Sequence, residues 1–248
     1  MWSVVIPTIW RSTETPELIR ELCDSPYVSE IIIIDNKPSE ASCDLSHKKV
    51  RRLVQKQNVY VNPAWNEGVI ESMNEHICIC NDDILFDTEL FERVFELFNK
   101  SKTDAILGAH QNCFFSTKKD FCITPGHWIG RGWGCLMFLR KSHWKPIPNE
   151  LKIFSGDKFI ALQSKCPKSF IWPIKTKMST TSSRSEFDEI KNQDQEFFKR
   201  TTSQLELYQL RITHGGAYGR LNLTTLLIFM VKEAAFKLKR RVQRIRRK

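Results

Sequence analysis

The chain has 248 residues, of which 41% are apolar and 27% charged. This excludes disordered, collagen-like and fibrous classes and leaves ample material for a folded core. No apolar run reaches the length of a membrane-spanning helix, and the opening Met1-Trp2-Ser3-Val4-Val5-Ile6-Pro7 lacks the pattern of a secretory signal, so none is expected. The net charge of +10 is concentrated at one end: Lys232–Lys248 holds nine basic residues against Glu233, giving +8 there and +2 over residues 1–231.

In chain order, Ser3–Pro7 reads as a strand. Thr15-Pro16 opens a helix, with Thr15 as N-cap and Leu18, Ile19 and Leu22 on its apolar face. Ile31–Ile34 is β-branched throughout and bounded by Asp35-Asn36-Lys37-Pro38, the pattern of a buried parallel strand. A weaker strand at Arg52–Gln55 and a helix at Ala64–Asn74 follow. His76–Cys80 is the next strand, ending at Asn81-Asp82-Asp83. Asp87 caps a helix whose Leu90, Phe91, Val94, Phe95 and Phe98 share one face, and Asp104–Gly108 is a further strand. Gln111–Trp128 reads as loop, Trp133–Leu139 as a strand, Gly156–Ser164 as a helix, and Ser179–Ser185 as a low-complexity loop or linker. This order predicts an α/β domain with a mostly parallel central sheet flanked by helices, with ligands beyond the carboxyl ends of the strands.

The eight cysteines include no CxxC pair, and Cys78 and Cys80 sit two apart on one strand, a poor geometry for one tetrahedral zinc. Reduced buried thiols in a cytoplasmic protein are expected. In the tail, Val231, Ala234, Ala235, Leu238, Val242 and Ile245 form one stripe of a helix opposite a basic face. Such a helix suits an anionic membrane surface, which we favour, or the phosphates of a nucleic acid; it can also dock on its own domain with the basic face solvated. The division expected is a domain over 1–220 and an amphipathic basic helix over 221–248.

Three acidic positions carry the chemistry. Asn81-Asp82-Asp83 closes an apolar strand, and adjacent acids there repel unless a cation offsets them. Mg²⁺ or Mn²⁺ bridging a diphosphate is a natural partner, whereas an Asx turn is the plain structural alternative. Asp157, in Ser155-Gly156-Asp157-Lys158, can serve as general base toward a hydroxyl or merely cap a helix. Asp35 and Asn36, past a buried strand, can hydrogen-bond a nucleoside or simply shape a turn.

Together these residues resemble the nucleotide-sugar glycosyltransferases of the GT-A fold, family-2-like, over roughly residues 3–165. The resemblance rests on Val4-Val5-Ile6-Pro7-Thr8, on Ile31–Asn36, on Asn58-Val59-Tyr60-Val61-Asn62-Pro63-Ala64-Trp65-Asn66-Glu67-Gly68, on Ile79–Asp83, and on Gly132-Trp133-Gly134 followed by Gly156-Asp157. It implies a metal-dependent transfer of a sugar from a nucleotide-diphosphate donor to an acceptor hydroxyl on a glycan, a lipid-linked sugar or a modified DNA base. Pro7, Thr8, Arg11, Asp35, Asn36, Asn66, Asn81 and Asp82 would bind the donor. Asp83 would ligate Mn²⁺ or Mg²⁺, with His214 as a further ligand. Trp133, with Trp128 as a second candidate, and Gly134 would meet the acceptor, and Asp157 would be the base of an inverting displacement. The chain departs from the family's pattern at Asn81, where an Asp is usual, and at Gly156, where Glu precedes the Asp. A nucleotidyltransferase would favour a Gly-rich loop after the first strand, which Pro7-Thr8-Ile9-Trp10-Arg11 lacks; a non-catalytic sugar-binding relative is the other alternative.

Overall fold

The computed structural model describes residues 1–100, 105–109, 122–125, 132–164, 168–172, 177–178 and 185–202. An eight-stranded sheet organises them, in the order β3-β2-β1-β4-β8-β6-β9-β7. Its strands are β1 (Trp2–Thr8), β2 (Val28–Asp35), β3 (Val50–Val54), β4 (His76–Cys80), β6 (Ile106–Ala109), β7 (Cys122–Pro125), β8 (Leu136–Arg140) and β9 (Lys168–Trp172). β3, β2, β1 and β4 pair in parallel, β8 runs antiparallel between β4 and β6, β9 is parallel to β6, and β7 is antiparallel to β9. A separate short ladder joins β5 (Ile84–Leu85) to β10 (Lys177–Met178).

The apolar runs of the central strands follow from burial on both faces. Val4, Ile6, Ile31, Ile33, Cys78 and Cys80 face one core, which α1 (Thr15–Asp24) and α3 (Leu90–Lys100) cover with Leu18, Leu22, Phe91, Val94 and Phe98. Val5, Ile32, Ile34, Ile77 and Ile79 face the other, beneath Ala64, Trp65 and Val69 of α2 (Val61–Glu71), Ile160 of α4 (Gly156–Gln163) and Phe198 of α5 (Asp188–Thr201). This period-two division of each strand fixes the register, since a one-residue slip would exchange the two cores.

Three readings from sequence are corrected. Thr15 is the first residue of α1 rather than its cap, and its hydroxyl donates to the Asp82 carbonyl at 3.0 Å. Residues 133–135 form a 3-10 turn, so the strand starts only at Leu136. Part of the expected loop, Cys122–Pro125, pairs with β9 as a strand, which its short length and terminal Pro disguise. α5 carries few apolar residues in a polar sequence and gave no periodic signal. His214, Trp128, residues 179–184, the boundary at 220 and the basic tail lie outside the described residues.

Candidate active site

The chain leaves β1 toward β2 and β3 on one side and returns through α2 to β4 on the other. The strand order therefore reverses beside β1, and a crevice opens where Thr8 and Cys80 end their strands. An open cleft occupies this position, lined by Pro7, Thr8, Ile9, Asn36, Asn58, Tyr60, Val61, Asp82, Ile153 and Phe187. All three non-glycine residues with positive φ among the described residues belong to segments bordering it: Trp10 (61°), Tyr60 (70°) and Ser155 (63°). Left-handed backbone at such residues costs roughly 1–3 kcal/mol each and gathers at functional sites.

Thr8, at the end of β1, donates its hydroxyl to Asp82 Oδ2 at 2.5 Å and accepts from the Trp10 amide at 2.9 Å. Burial, with the adjoining charge of Asp83, pushes Asp82 up to about 7 despite the Thr8 hydroxyl. Asp83 is buried beside it, 4% exposed. The Asn81 amide nitrogen is spent on the Cys135 carbonyl (2.9 Å), while its side-chain Oδ1 is buried with no hydrogen-bond partner.

β8 brings the other half of the site. Cys80 pairs with Leu136, so the turn before β8 stands at the same sheet edge as Asn81. Gly132 (φ 85°) starts that turn, and Gly134 follows with no room for a side chain: a Cβ there would lie 2.8 Å from Asp157 Cβ. Asp157 stands half-buried in the first turn of α4, Oδ1 accepting the Lys158 amide at 2.8 Å, and burial raises its pKa. The Cys135 thiol is pushed up to about 12 by burial and then by the charges of Asp83 and Asp157, so both carboxylates bear on one point at this edge.

Other expected residues stand differently. Asp35 is fully buried and saturated: Oδ1 accepts from the Trp10 indole (2.8 Å) and the Lys37 amide (3.0 Å), Oδ2 from Arg52 Nε (2.7 Å) and Nη2 (2.5 Å). It ties Trp10, Lys37 and Arg52 together at the end of β2. Asn36 lines the cleft, its Oδ1 held by the Val59 amide at 3.0 Å. Asn66 is turned away, both ends of its amide on the Ile147 backbone (2.8 Å each), because that buried loop needs a donor and an acceptor. Arg11 pairs with Glu186 outside the cleft lining. Trp133 is fully buried in the core and packs where a Gly108 side chain would stand, so it cannot stack on a sugar. Sequence reasoning did not name Ile9, Asn58, Tyr60, Val61, Ile153 or Phe187 as lining residues; for Phe187 nothing local signals the contact.

Among the described residues no three His, Cys, Asp or Glu side chains converge into a metal cage. A site of one or two carboxylates completed by phosphates and water is how Mg²⁺ is commonly held. The buried Asn81 oxygen and the paired acids Asp82 and Asp83, one of them forced up by burial, fit a hard cation at this edge.

A mostly parallel sheet with β8 antiparallel beside β4 and β7 antiparallel at its edge, and acids gathered at the carboxyl ends of the strands, is the arrangement of a GT-A glycosyltransferase. The family model for glycosyl transferase family 2 matches residues 3–149, and the chain belongs to that family. No curated protein matches it by sequence. Among solved structures it is similar to S. aureus TarS 1–349, with 15% identity, 86% of this chain and 70% of that one covered, and a TM-score of 0.55. The same protein in complex with UDP-GlcNAc gives 14% identity, 85% and 70% coverage and a TM-score of 0.55, and in complex with UDP 15%, 85% and 69%, and 0.55.

Proposed function

We propose that this glycosyltransferase moves a sugar from a nucleoside diphosphate donor to an acceptor hydroxyl by inverting displacement, with a divalent cation at Asp83. The observation that carries the reading is the meeting, at one sheet edge, of an open cleft, the Asp82-Asp83 pair and the raised-pKa Asp157. The UDP and UDP-GlcNAc bound by TarS support a uridine donor of this kind.

In this mechanism the β1 turn and the Asn36, Tyr60 and Val61 wall hold the nucleoside, placing its diphosphate toward Asp82 and Asp83. Asp83, with Asp82 or the Asn81 oxygen, would hold Mg²⁺ or Mn²⁺, which supplies charge stabilisation of the departing diphosphate when bound. Asp157 takes the proton from the acceptor hydroxyl as its oxygen attacks the anomeric carbon and the bond to the diphosphate breaks. Its raised pKa strengthens it as a base near neutrality. Gly134, lacking a side chain, lets the turn before β8 pack directly against Asp157 and so helps to fix the position of the base.

The test is sugar transfer and donor hydrolysis across UDP and GDP sugars with Mn²⁺, comparing Asp83→Ala and Asp157→Ala with wild type. Asp83→Ala is expected to abolish both reactions. Asp157→Ala is expected to remove transfer, about 10²–10⁴-fold, the usual weight of a positioned base. Normal turnover in both would refute the assignment. For the acceptor we favour a lipid-linked sugar or surface glycan over a DNA base, on the large apolar residues Leu226-Leu227-Ile228-Phe229-Met230 that precede the stripe of residues 231–245 with its basic face. Co-sedimentation of the full chain with anionic vesicles, against salt-sensitive binding to duplex DNA, separates these acceptors.

A further inference from the structure

α5 lies beyond the segment that the family model matches, and it carries a fully buried carboxylate, Asp194. Three consecutive backbone amides converge on it: Lys152 on Oδ1 at 2.9 Å, Ile153 and Phe154 on Oδ2 at 2.8 and 2.7 Å. The opposite side of the same loop is held by Asn62 of α2, whose amide donates to the Lys152 carbonyl at 2.9 Å and whose side chain donates to Phe154 O at 3.4 Å. The next residue, Ser155, is forced to φ 63°, and Asp157 stands two residues on. Gly156 between them has no room for a side chain against Asn62.

A buried carboxylate is expensive unless hydrogen bonds satisfy it, and three amide donors from one short loop do so while fixing that loop's path. Helix stability alone would not place an acid here, in the interior of α5 rather than at its N-terminus. Resting on the reading of Asp157 as the base, we propose that Asp194 is a positioning residue: it pins the 152–154 backbone so that the strained Ser155 turn delivers the Asp157 carboxylate against Gly134. It touches neither donor nor acceptor and acts only through the loop.

The test combines kinetics with hydrogen exchange on the full chain. Asp194→Asn is expected to lower kcat for sugar transfer about 10- to 100-fold, the scale on which a misplacement of about 1 Å acts. Donor KM is expected to change less than kcat, because Ile153 is one lining residue of the cleft while the β1 and Asn36 walls are untouched, and the amides of residues 152–154 are expected to lose protection. In an Asp157→Ala background the same change is expected to cost less than about 2-fold, since groups acting as one unit are not additive. Asp194→Glu keeps the carboxylate, is expected to restore amide protection and most of kcat, and serves if the Asn variant does not fold. A full additional loss in the Asp157→Ala background, or wild-type kcat with the three amides exposed, overturns the positioning role. Wild-type transfer by Asp157→Ala itself overturns the base assignment instead, and the exchange data then report separately on whether Asp194 holds the loop.

Discussion

At the residue scale, two contacts decide how the edge of the sheet works. The Thr8 hydroxyl holds Asp82 Oδ2, and burial drives that carboxyl up to about 7. Thr8→Val keeps the shape but removes the donor. Donor affinity, measured by titration calorimetry with a nucleoside diphosphate, is expected to fall about 10-fold, the scale of one hydrogen bond to a charged group. Gly134 tests the other contact. An added methyl would stand 2.8 Å from Asp157 Cβ, so Gly134→Ala displaces either the turn or the carboxylate. Transfer is expected to fall at least about 10-fold, while donor hydrolysis is spared. Equal loss of both would place Gly134 in the donor pocket. Thr8 and Asp82 could be singled out in the sequence because they are short polar side chains at the ends of apolar strands, where a cleft opens in such a sheet. Trp133, Asn66 and Asp35 make contacts that their residue types do not announce, because residue type does not report direction. An indole serves a core and a sugar face equally well, and an amide satisfies a buried loop as readily as a ligand.

At the scale of elements, the strands that bracket the site declared themselves through β-branched runs, and the antiparallel entry of β8 did not. Its signature is a pairing, Cys80 with Leu136, between segments with no local mark of partnership. α5 escaped because its polar sequence hides the burial of Phe198 and Asp194, and burial there is decided by what α5 lands on. The turn before β8 yields a stability prediction. Trp133 fills the space above Gly108 with no exposure, so Trp133→Ala is expected to cost about 3–5 kcal/mol in chemical denaturation, the usual price of deleting a buried aromatic. Trp133→Phe, retaining most of the volume, is expected to leave acceptor KM unchanged. A selective rise in acceptor KM would return Trp133 to the acceptor site.

For the whole molecule, the sheet separates chemistry from stability along its strands. The carboxyl end of β4 carries Asn81-Asp82-Asp83; its first residue, His76, stands about 13 Å away, four residues at about 3.3 Å each. There it packs against Trp2, Phe95 and Phe98 with ring centroids 5.1, 5.2 and 5.9 Å distant. Arg140 Nη1 lies 3.4 Å from His76 Nε2 and donates to it when the ring is neutral. Burial lowers the His76 pKa, and the charges of Arg140 and the N-terminus lower it further, against a weaker pull from Glu75. The unfolded chain, with an ordinary value of about 6.5, therefore takes up a proton before the folded one does. Stability from this group is complete above about pH 6.5 and is lost as pH falls through the depressed folded value. Replacing His76 with Phe removes the titration while keeping a ring among the aromatics. The melting temperature of wild type is expected to drop more steeply between about pH 7 and pH 5 than that of His76→Phe, with carboxylate titrations common to both cancelling in the difference. Turnover at neutral pH is expected to be equal in the two, since nothing at the carboxyl edge contacts the ring. Parallel melting curves would show that the His76 proton is bound equally in the folded and unfolded chains, and a drop in turnover would show that the two ends of the sheet are not independent.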